Sequence, residues 1–196
     1  MSDFFDDMTR KVSSRLIDLN ERARLLFSIS CVYALYPSFV KFNGVYKHRD
    51  VEPIVKALKG VEHSILCGSA LDFFTVDELM DLAPDTNEYD DIFASLCLDF
   101  VASLEMLNRV LCGEDVAKDI SELCIDSVDM YVQNLITEKY GDVGFELAIK
   151  NHHLMKNELI RQLTVLSSLD GQLEDSKVAC LFEEWRSYSG IWVIIQ

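Results

Sequence analysis

Apolar residues recur at three- and four-residue spacing through almost the whole of this 196-residue chain. The breaks between the apolar runs carry residues typical of helix starts and stops rather than of strands. A chain of this length can bury a substantial core in one domain. The spacing therefore predicts an all-α protein in which residues 1–196 form a single helical domain, a bundle of about seven helices. Residues 191–195 are apolar and predict a short extended tail, docked on the core or paired with another chain.

Prolines, glycines and capping residues set the predicted helix limits. A helix opened by Asn20 is expected to stop at Tyr36-Pro37, because proline disfavours helical backbone at the preceding residue. Residues 39–49 are then predicted to form an irregular connector. The longest helices are predicted over residues 88–112 and 114–140, as an antiparallel hairpin, and over residues 142–169.

Negative charge is concentrated in one third of the chain. Residues 72–129 contain sixteen Asp and Glu side chains against Arg109 and Lys118, giving −14, while the residues before and after contribute +2 and −3 to the formal net charge of −15. So concentrated a field attracts cations and favours a basic protein partner. Nucleic acid and anionic lipid would be repelled, so we expect no direct nucleic-acid binding and no membrane binding.

Within this acidic segment, several carboxylates follow helical spacing. From Asp115, acids occur after four, three, four and three residues, which places them on one helix face beside an apolar stripe. The acids span about 21 Å with one charge every ~5 Å, against ~3.4 Å along one nucleic-acid strand. Such a face is suited to a groove built to hold phosphates. The candidate partner-binding residues are Asp115, Asp119, Glu122, Asp126 and Asp129, with the preceding acids Asp85, Glu88, Asp90 and Asp91.

Two other interpretations of these acids stay open. Cations of the first two predicted helices can neutralise them within the molecule, or water can simply solvate them. Against both stands the repulsion between like charges at three- and four-residue spacing, about 0.2–0.5 kcal/mol per contact. The cations concerned are Arg10, Lys11, Arg15, Arg22 and Arg24.

The sequence offers no assembled catalytic or metal site. His63 and Cys67 stand four residues apart, a spacing at which an imidazole and a thiol can pair, but no orienting group accompanies them. His152 and His153 lie side by side and lack carboxylates three or four residues away. Common catalytic, phosphate-binding and metal-binding motifs are absent from the sequence. We therefore predict a protein that is not an enzyme, with no catalytic residue, no metal and no cofactor.

Six cysteines lie far apart without C-x-x-C spacing, which predicts reduced and mostly buried thiols. The first residues lack the basic region of a signal peptide, and no uninterrupted apolar run of about 18 residues occurs. We expect a cytoplasmic protein that is neither exported nor membrane-spanning.

Residues 90–105, with the sequence Asp-Asp-Ile-Phe-Ala-Ser-Leu-Cys-Leu-Asp-Phe-Val-Ala-Ser-Leu-Glu, carry a resemblance to a known family. Residues 117–121, residues 127–133 and the earlier stretch from Arg24 to Phe42 extend it over most of residues 20–170. The chain resembles the YjaG-like family of unknown function. The resemblance implies a small, all-helical bacterial cytosolic protein and offers no established catalytic or ligand residues to carry over.

These features lead to an expected function in protein binding. We expect an immunity protein, an antitoxin that binds and neutralises a cationic bacterial toxin domain, with a nuclease as the best-fitting class. One alternative is a non-enzymatic housekeeping protein that self-associates, as a homodimer, through its apolar tail. Another is a carboxylate-dependent metalloenzyme. Candidate apolar anchors near the acidic segment are Phe73, Phe74, Tyr89 and Phe93, although the core is the favoured place for each of them.

Overall fold

The computed structural model describes residues 4–68, 73–171 and 173–188. This part of the chain contains nine α-helices and no strand, which confirms the all-α fold and corrects the expected number of about seven helices. The predicted extended tail at residues 191–195 lies outside the described residues. The helices are α1 Phe4–Ile17, α2 Glu21–Tyr46, α3 Glu52–Cys67, α4 Val76–Leu82, α5 Ile92–Leu111, α6 Ala117–Gln133, α7 Phe145–Asn151, α8 His153–Ser168 and α9 Asp175–Arg186.

Helix α2 forms the centre of the fold and packs most extensively against α5, with further contacts to α6, α8 and α9. Its predicted stop at Pro37 is wrong, because α2 continues through this residue to Tyr46. A proline inside a helix costs about 3 kcal/mol. Phe39 and Phe42 are fully buried, and burial of such side chains contributes about 1.5–3 kcal/mol each, enough to offset that cost. The connector predicted at residues 39–49 is therefore mostly helix.

Among the described helices, α2 alone is long and apolar enough to cross a membrane, judged by length and composition. Inside the fold, 72% of its most apolar stretch is buried. Contact with the surrounding helices thus accounts for its apolar character, as expected for the central helix of a bundle. The cytoplasmic location stays a prediction.

Helices α5 and α6 form the antiparallel hairpin expected from the sequence, joined by a short connection at residues 112–116. At this connection, Arg109 Nε donates a hydrogen bond to Glu114 Oε2 at 2.9 Å. Farther from it, Ser127 Oγ of α6 donates to Asp99 Oδ2 of α5 at 2.7 Å. These two contacts set the register of the hairpin.

Both helices of the hairpin are shorter than predicted. Helix α5 begins at Ile92 because Asp91 is its N-cap, where the carboxylate accepts a hydrogen bond from the Phe93 backbone N–H at 2.9 Å. Helix α6 ends at Gln133, seven residues before its predicted end. The chain beyond it enters α7 through Gly144, whose φ of 101° lies in the left-handed region that glycine adopts without strain.

The core contains large aromatic side chains from several helices. The ring of Phe100 in α5 packs against those of Tyr36 and Phe39 in α2, with centroid distances of 5.8 and 5.1 Å. A smaller cluster of buried residues joins α6, α7 and α8. The largest fully buried aromatic side chains are Trp185, Phe27, Phe39, Phe42, Phe100 and Phe182.

A buried carboxylate joins α2, α3 and α9. Glu62 is 5% exposed and accepts hydrogen bonds from the Tyr33 hydroxyl and from Arg186 Nε and Nη2. Burial raises the pKa of Tyr33, and the hydrogen bond to Glu62 raises it further. Because an unpaired buried charge is costly, Arg186 fixes the position of α9 on this side of the fold.

The single helix expected over residues 142–169 is wrong, because the chain forms α7 and α8, separated at His152. His152 has extended backbone, with φ −62° and ψ 139°, and its Nδ1 accepts a hydrogen bond from the Leu154 backbone N–H at 3.3 Å. The imidazole therefore caps α8. The break lets α7 bury Phe145 and Ile149 in the smaller cluster with α6, a packing preference that helical spacing does not encode.

Replacing His152 with asparagine is expected to flatten part of the pH dependence of stability. Burial lowers the pKa of His152, and the charge of His153 lowers it further. The unfolded chain therefore binds this proton more readily, so the folded state loses stability as the pH falls below about 6.5. Asparagine keeps a capping oxygen but does not titrate. Urea unfolding of both proteins between about pH 5 and 8 measures the difference, and parallel profiles would contradict the prediction.

Candidate functional site

Helix α6 presents a row of acids on the side away from the core. Asp119, Glu122 and Asp126 are exposed, Asp129 is half-buried, and Asp115 is exposed just before the helix. Buried residues on the opposite side of α6 include Ile120, Cys124 and Val128. The arrangement follows the helical spacing of the sequence. We define the acidic face as Asp115, Asp119, Glu122, Asp126 and Asp129.

Two carboxylates of the acidic face are neutralised within the molecule. Arg24 Nη1 lies 3.2 Å from Asp115 Oδ2, and Lys118 Nζ lies 3.4 Å from Glu122 Oε1. Asp129 accepts a hydrogen bond from the uncharged side chain of Gln133 at 2.6 Å. Among the residues that the structure describes, the members of the acidic face without an ion pair within 4.0 Å are Asp119, Asp126 and Asp129.

The other cations expected to neutralise the acidic face bind acids elsewhere. Arg10 and Lys11 bind Asp7, Arg15 binds Asp170, and Arg22 binds Asp175. Neutralisation by the first two helices is therefore found at Asp115 alone, through Arg24. Most of the acidic face keeps its charge toward solvent.

Asp99 extends the acidic face onto α5. It accepts the Ser127 hydrogen bond beside Asp126. Burial raises the pKa of Asp99; the Ser127 hydrogen bond opposes this shift and the charge of Asp126 adds to it. Sequence reasoning missed Asp99 as a site residue, because its place beside Asp126 depends on the register of the hairpin. The only indication in the sequence was that Asp99 lies within the acidic segment, residues 72–129.

Asp126 lies close enough to two other acids of the acidic face for their charges to act on it. Burial raises the pKa of Asp126, and the charges of Asp129 and Glu122 raise it further. A cation placed beside such a carboxylate favours its ionised form. This end of the acidic face is therefore suited to binding positive charge.

Both cations of the acidic segment lie at the other end of the acidic face. Arg109 is beside the hairpin connection, where its hydrogen bond to Glu114 raises the pKa of its guanidinium and the more distant charge of Asp119 adds to this. Lys118 lies in the first turn of α6. Neither of these two cations lies within 4.0 Å of Asp126.

An open groove borders the acidic face beside α1, with a volume of about 310 Å³. Ile17 lines it next to Asp119 and is 77% exposed. This residue offers a partner an apolar contact beside the charges. The four candidate anchors are half-buried against the core, in agreement with the expectation that they belong to it; they are Phe73, Phe74, Tyr89 and Phe93.

Two of the four predicted acids before α5 have local structural roles. Asp91 caps α5 and also accepts a hydrogen bond from the Tyr46 hydroxyl at 3.0 Å. Asp85 Oδ1 accepts from the backbone and side-chain N–H groups of Asn87, each at 2.9 Å. These carboxylates stabilise the loop whether or not a partner binds.

The other two predicted acids before α5, Glu88 and Asp90, are exposed. A ring contact between Phe93 and Tyr131, with a centroid distance of 6.2 Å, joins the start of α5 to the last turn of α6. This contact places the loop at the same end of the hairpin as Asp129.

Other chemically active side chains are scattered. In the described parts of the chain, no three His, Cys, Asp or Glu side chains are arranged to hold a metal ion. All six cysteines are free, but only half of them are buried, so the expectation of mostly buried thiols is wrong. The exposed cysteines are Cys67, Cys112 and Cys180.

The protein is therefore all-α and carries a row of carboxylates on α6, of which only some are paired with a cation of the described residues. A family model, DUF416, described as a protein of unknown function, matches residues 11–186. The chain belongs to this family. A DUF416 family protein from Shewanella baltica OS155, whose crystal structure has 1.91 Å resolution, is 20% identical in sequence with a TM-score of 0.77, over 94% of each chain.

No curated protein matches the chain. The likeness to the Shewanella baltica protein shows the fold, and the family is one of unknown function. The narrower resemblance to the YjaG-like family stays a prediction.

Proposed function

We propose that this protein binds a basic protein domain through the acidic face and acts as an immunity protein for a cationic toxin, best fitted by a nuclease. The observation that supports this most is that three carboxylates of the acidic face, on one side of one helix, have no ion pair among the described residues. They are Asp119, Asp126 and Asp129.

The geometry of α6 favours a partner that binds phosphates. From Asp119 to Asp129 the helix rises about 15 Å and carries four carboxylates, about one every 5 Å against ~3.4 Å per charge along one nucleic-acid strand, and Lys118 offsets the charge of Glu122 among them. A groove that binds nucleic acid neutralises the phosphates with Lys and Arg side chains. Inserting the acidic face would occupy that groove and block access of the nucleic acid.

Electrostatic interactions favour the binding of a basic partner to the acidic face. Like charges on α6 repel, at about 0.2–0.5 kcal/mol per contact, and the burial of Ile120, Cys124 and Val128 keeps the helix in place. A cationic partner removes the repulsion. Complementary charge also speeds diffusional encounter, which lets an inhibitor reach a toxin before its substrate does.

Neutralising the face is expected to slow capture of the partner. The test variant combines Asp119→Asn, Glu122→Gln and Asp126→Asn. Its association rate with a basic partner, captured from host lysate on the wild-type protein, is expected to fall by about tenfold or more at low salt. Surface plasmon resonance measures the rate, and circular dichroism checks that the fold is kept.

The matched control changes net charge equally but lies away from the acidic face. It combines Glu52→Gln, Glu146→Gln and Glu184→Gln, all at exposed positions, and is expected to change the rate by less than about twofold. Equal rates for the test and control variants would remove the acidic face from the proposal. If only copies of the same chain are captured, the self-associating housekeeping alternative replaces it.

A further inference from the structure

Two buried thiols meet where the central helix α2 packs against α6. Cys31 of α2 and Cys124 of α6 are both fully buried, and both are free. Cys124 Sγ donates a hydrogen bond to the backbone oxygen of Cys31 at 3.8 Å, and the two thiols also share a hydrogen bond. A disulfide between them would join α2 to the helix that carries the acidic face.

A guanidinium from α8 lies beside this pair. Arg161 Nη2 is 3.6 Å from Cys31 Sγ, and Arg161 also donates hydrogen bonds to Glu158 through Nε and Nη2. Its Nη1 atom is buried and has no hydrogen-bond partner among the described residues. A buried N–H group without an acceptor is costly. An oxygen atom bound to Cys31 Sγ would lie beside this guanidinium and provide an acceptor.

The two thiols differ in acidity, so they are suited to different roles. Burial raises the pKa of Cys31, but the hydrogen bond with Cys124 and the charge of Arg161 outweigh burial and hold this pKa below its usual value. The pKa of Cys124 is raised well above its usual value by the hydrogen bond with Cys31, and burial raises it further. Because the thiolate is the nucleophile, Cys31 is the more reactive of the two.

Cys97 in α5 provides a matched comparison within the same protein. It is as fully buried as Cys31, and burial raises its pKa to about 12. A thiol with so high a pKa is unreactive. Equal burial therefore gives opposite shifts at the two residues, and the groups that make the difference are Arg161 and Cys124.

We propose that Cys31 and Cys124 form a redox-active dithiol that a small hydroperoxide oxidises to a disulfide. The sulfur of Cys31 attacks one peroxide oxygen, the O–O bond breaks, and the leaving hydroxide takes the proton given up by Cys31 to form water. The sulfur of Cys124 then attacks the sulfur of the resulting sulfenic acid. The S–S bond forms as the S–O bond breaks, and the hydroxide leaves with the Cys124 proton as a second water. Each sulfur gives up one electron, and these two electrons reduce the peroxide.

The position of Arg161 gives a small oxidant a route to this pair. The Arg161 side chain is 16% exposed, so it extends from Cys31 to the surface. Hydrogen peroxide is similar in size to water, and its reaction with the pair does not depend on any partner of the acidic face.

The test treats folded, reduced protein that lacks the exposed thiols with hydrogen peroxide. Peptide mapping by mass spectrometry without reduction is expected to show Cys31 linked to Cys124, with a mass lower by two hydrogen atoms. Dithiothreitol is expected to restore both thiols, and Cys97 is expected to react at least about tenfold more slowly. The variant combines Cys67→Ser, Cys112→Ser and Cys180→Ser, all at exposed positions.

Two outcomes of this test would overturn the proposal. One is that Cys31 and Cys124 remain free thiols after a peroxide dose that oxidises the exposed thiols of the wild-type protein. The other is that Cys97 is oxidised at the same rate, because the reaction would then follow opening of the whole core. Circular dichroism checks that the fold is kept, and the same mapping of the wild-type protein gives the result if the variant does not fold.

Two single substitutions, added to the same variant, identify the nucleophile. In Cys124→Ser, oxidation of Cys31 is expected to stop at the sulfenic acid, which dimedone traps when the treated protein is unfolded in its presence. In Cys31→Ser, Cys124 is expected to give at least about tenfold less of the trapped adduct. Equal trapping in the two proteins would contradict the roles proposed for the two thiols.

Discussion

Replacing Arg161 with methionine is expected to lower the free energy of unfolding by about 3–5 kcal/mol. Glu158 is 3% exposed, and Arg161 Nε and Nη2 donate hydrogen bonds to its two oxygens at 2.8 and 2.6 Å. Without the guanidinium, the one hydrogen bond that the described residues still donate to the buried carboxylate comes from the Gln162 side-chain N–H, at 2.8 Å. This loss of stability exceeds the loss expected on breaking a surface ion pair, because it leaves an unpaired charge in the core.

The prediction for Arg161 is tested by urea unfolding near neutral pH. A double variant, Glu158→Leu with Arg161→Met, removes both charges and is expected to lose much less stability than Arg161→Met alone. Arg10→Met, at an exposed pair with Asp7, is the control and is expected to leave the midpoint unchanged. A double variant no more stable than the single one would contradict this account of the buried pair.

Truncating Phe100 to alanine is expected to cost about 3–5 kcal/mol. Phe100 is fully buried at the contact between α5 and the central helix α2, where its ring meets those of Tyr36 and Phe39. Alanine leaves a cavity that neighbouring rings fill only in part, so both transfer free energy and packing are lost.

The magnitude is again measured by urea unfolding. Phe100→Leu retains most of the volume and is expected to cost clearly less than the alanine variant. Phe4→Ala, at a position of α1 that is 47% exposed, is the matched control and is expected to change stability much less. A loss below about 1 kcal/mol in Phe100→Ala would show that α2 and α5 do not share the tight core described above.

The features that were predicted correctly from the sequence are those that depend on the local spacing of residues. The all-α fold, the hairpin of α5 and α6, and the exposure of Asp119, Glu122 and Asp126 all follow from three- and four-residue periodicity. Helix limits were wrong where tertiary packing decides them. Burial of Phe39 and Phe42 carries α2 through Pro37, and the cluster of α6, α7 and α8 breaks the chain at His152.

The candidate site, too, could be predicted from the sequence only in part. The row of acids is visible in the sequence, but its state of charge depends on contacts between distant residues. Of the five cations considered as neutralisers, Arg24 alone reaches the acidic face, at Asp115. Asp99 and Ile17 were missed because only the assembled fold brings α5 and α1 beside α6.

The central claim is that the acidic face attracts a basic partner over a distance. The most direct test is the salt dependence of the association rate constant, measured with the captured partner from about 50 to 500 mM salt. For the wild-type protein, the logarithm of this rate is expected to fall steeply with ionic strength, and the slope is expected to be much shallower when Asp119, Glu122 and Asp126 are neutralised. Identical slopes for the two proteins would contradict the claim.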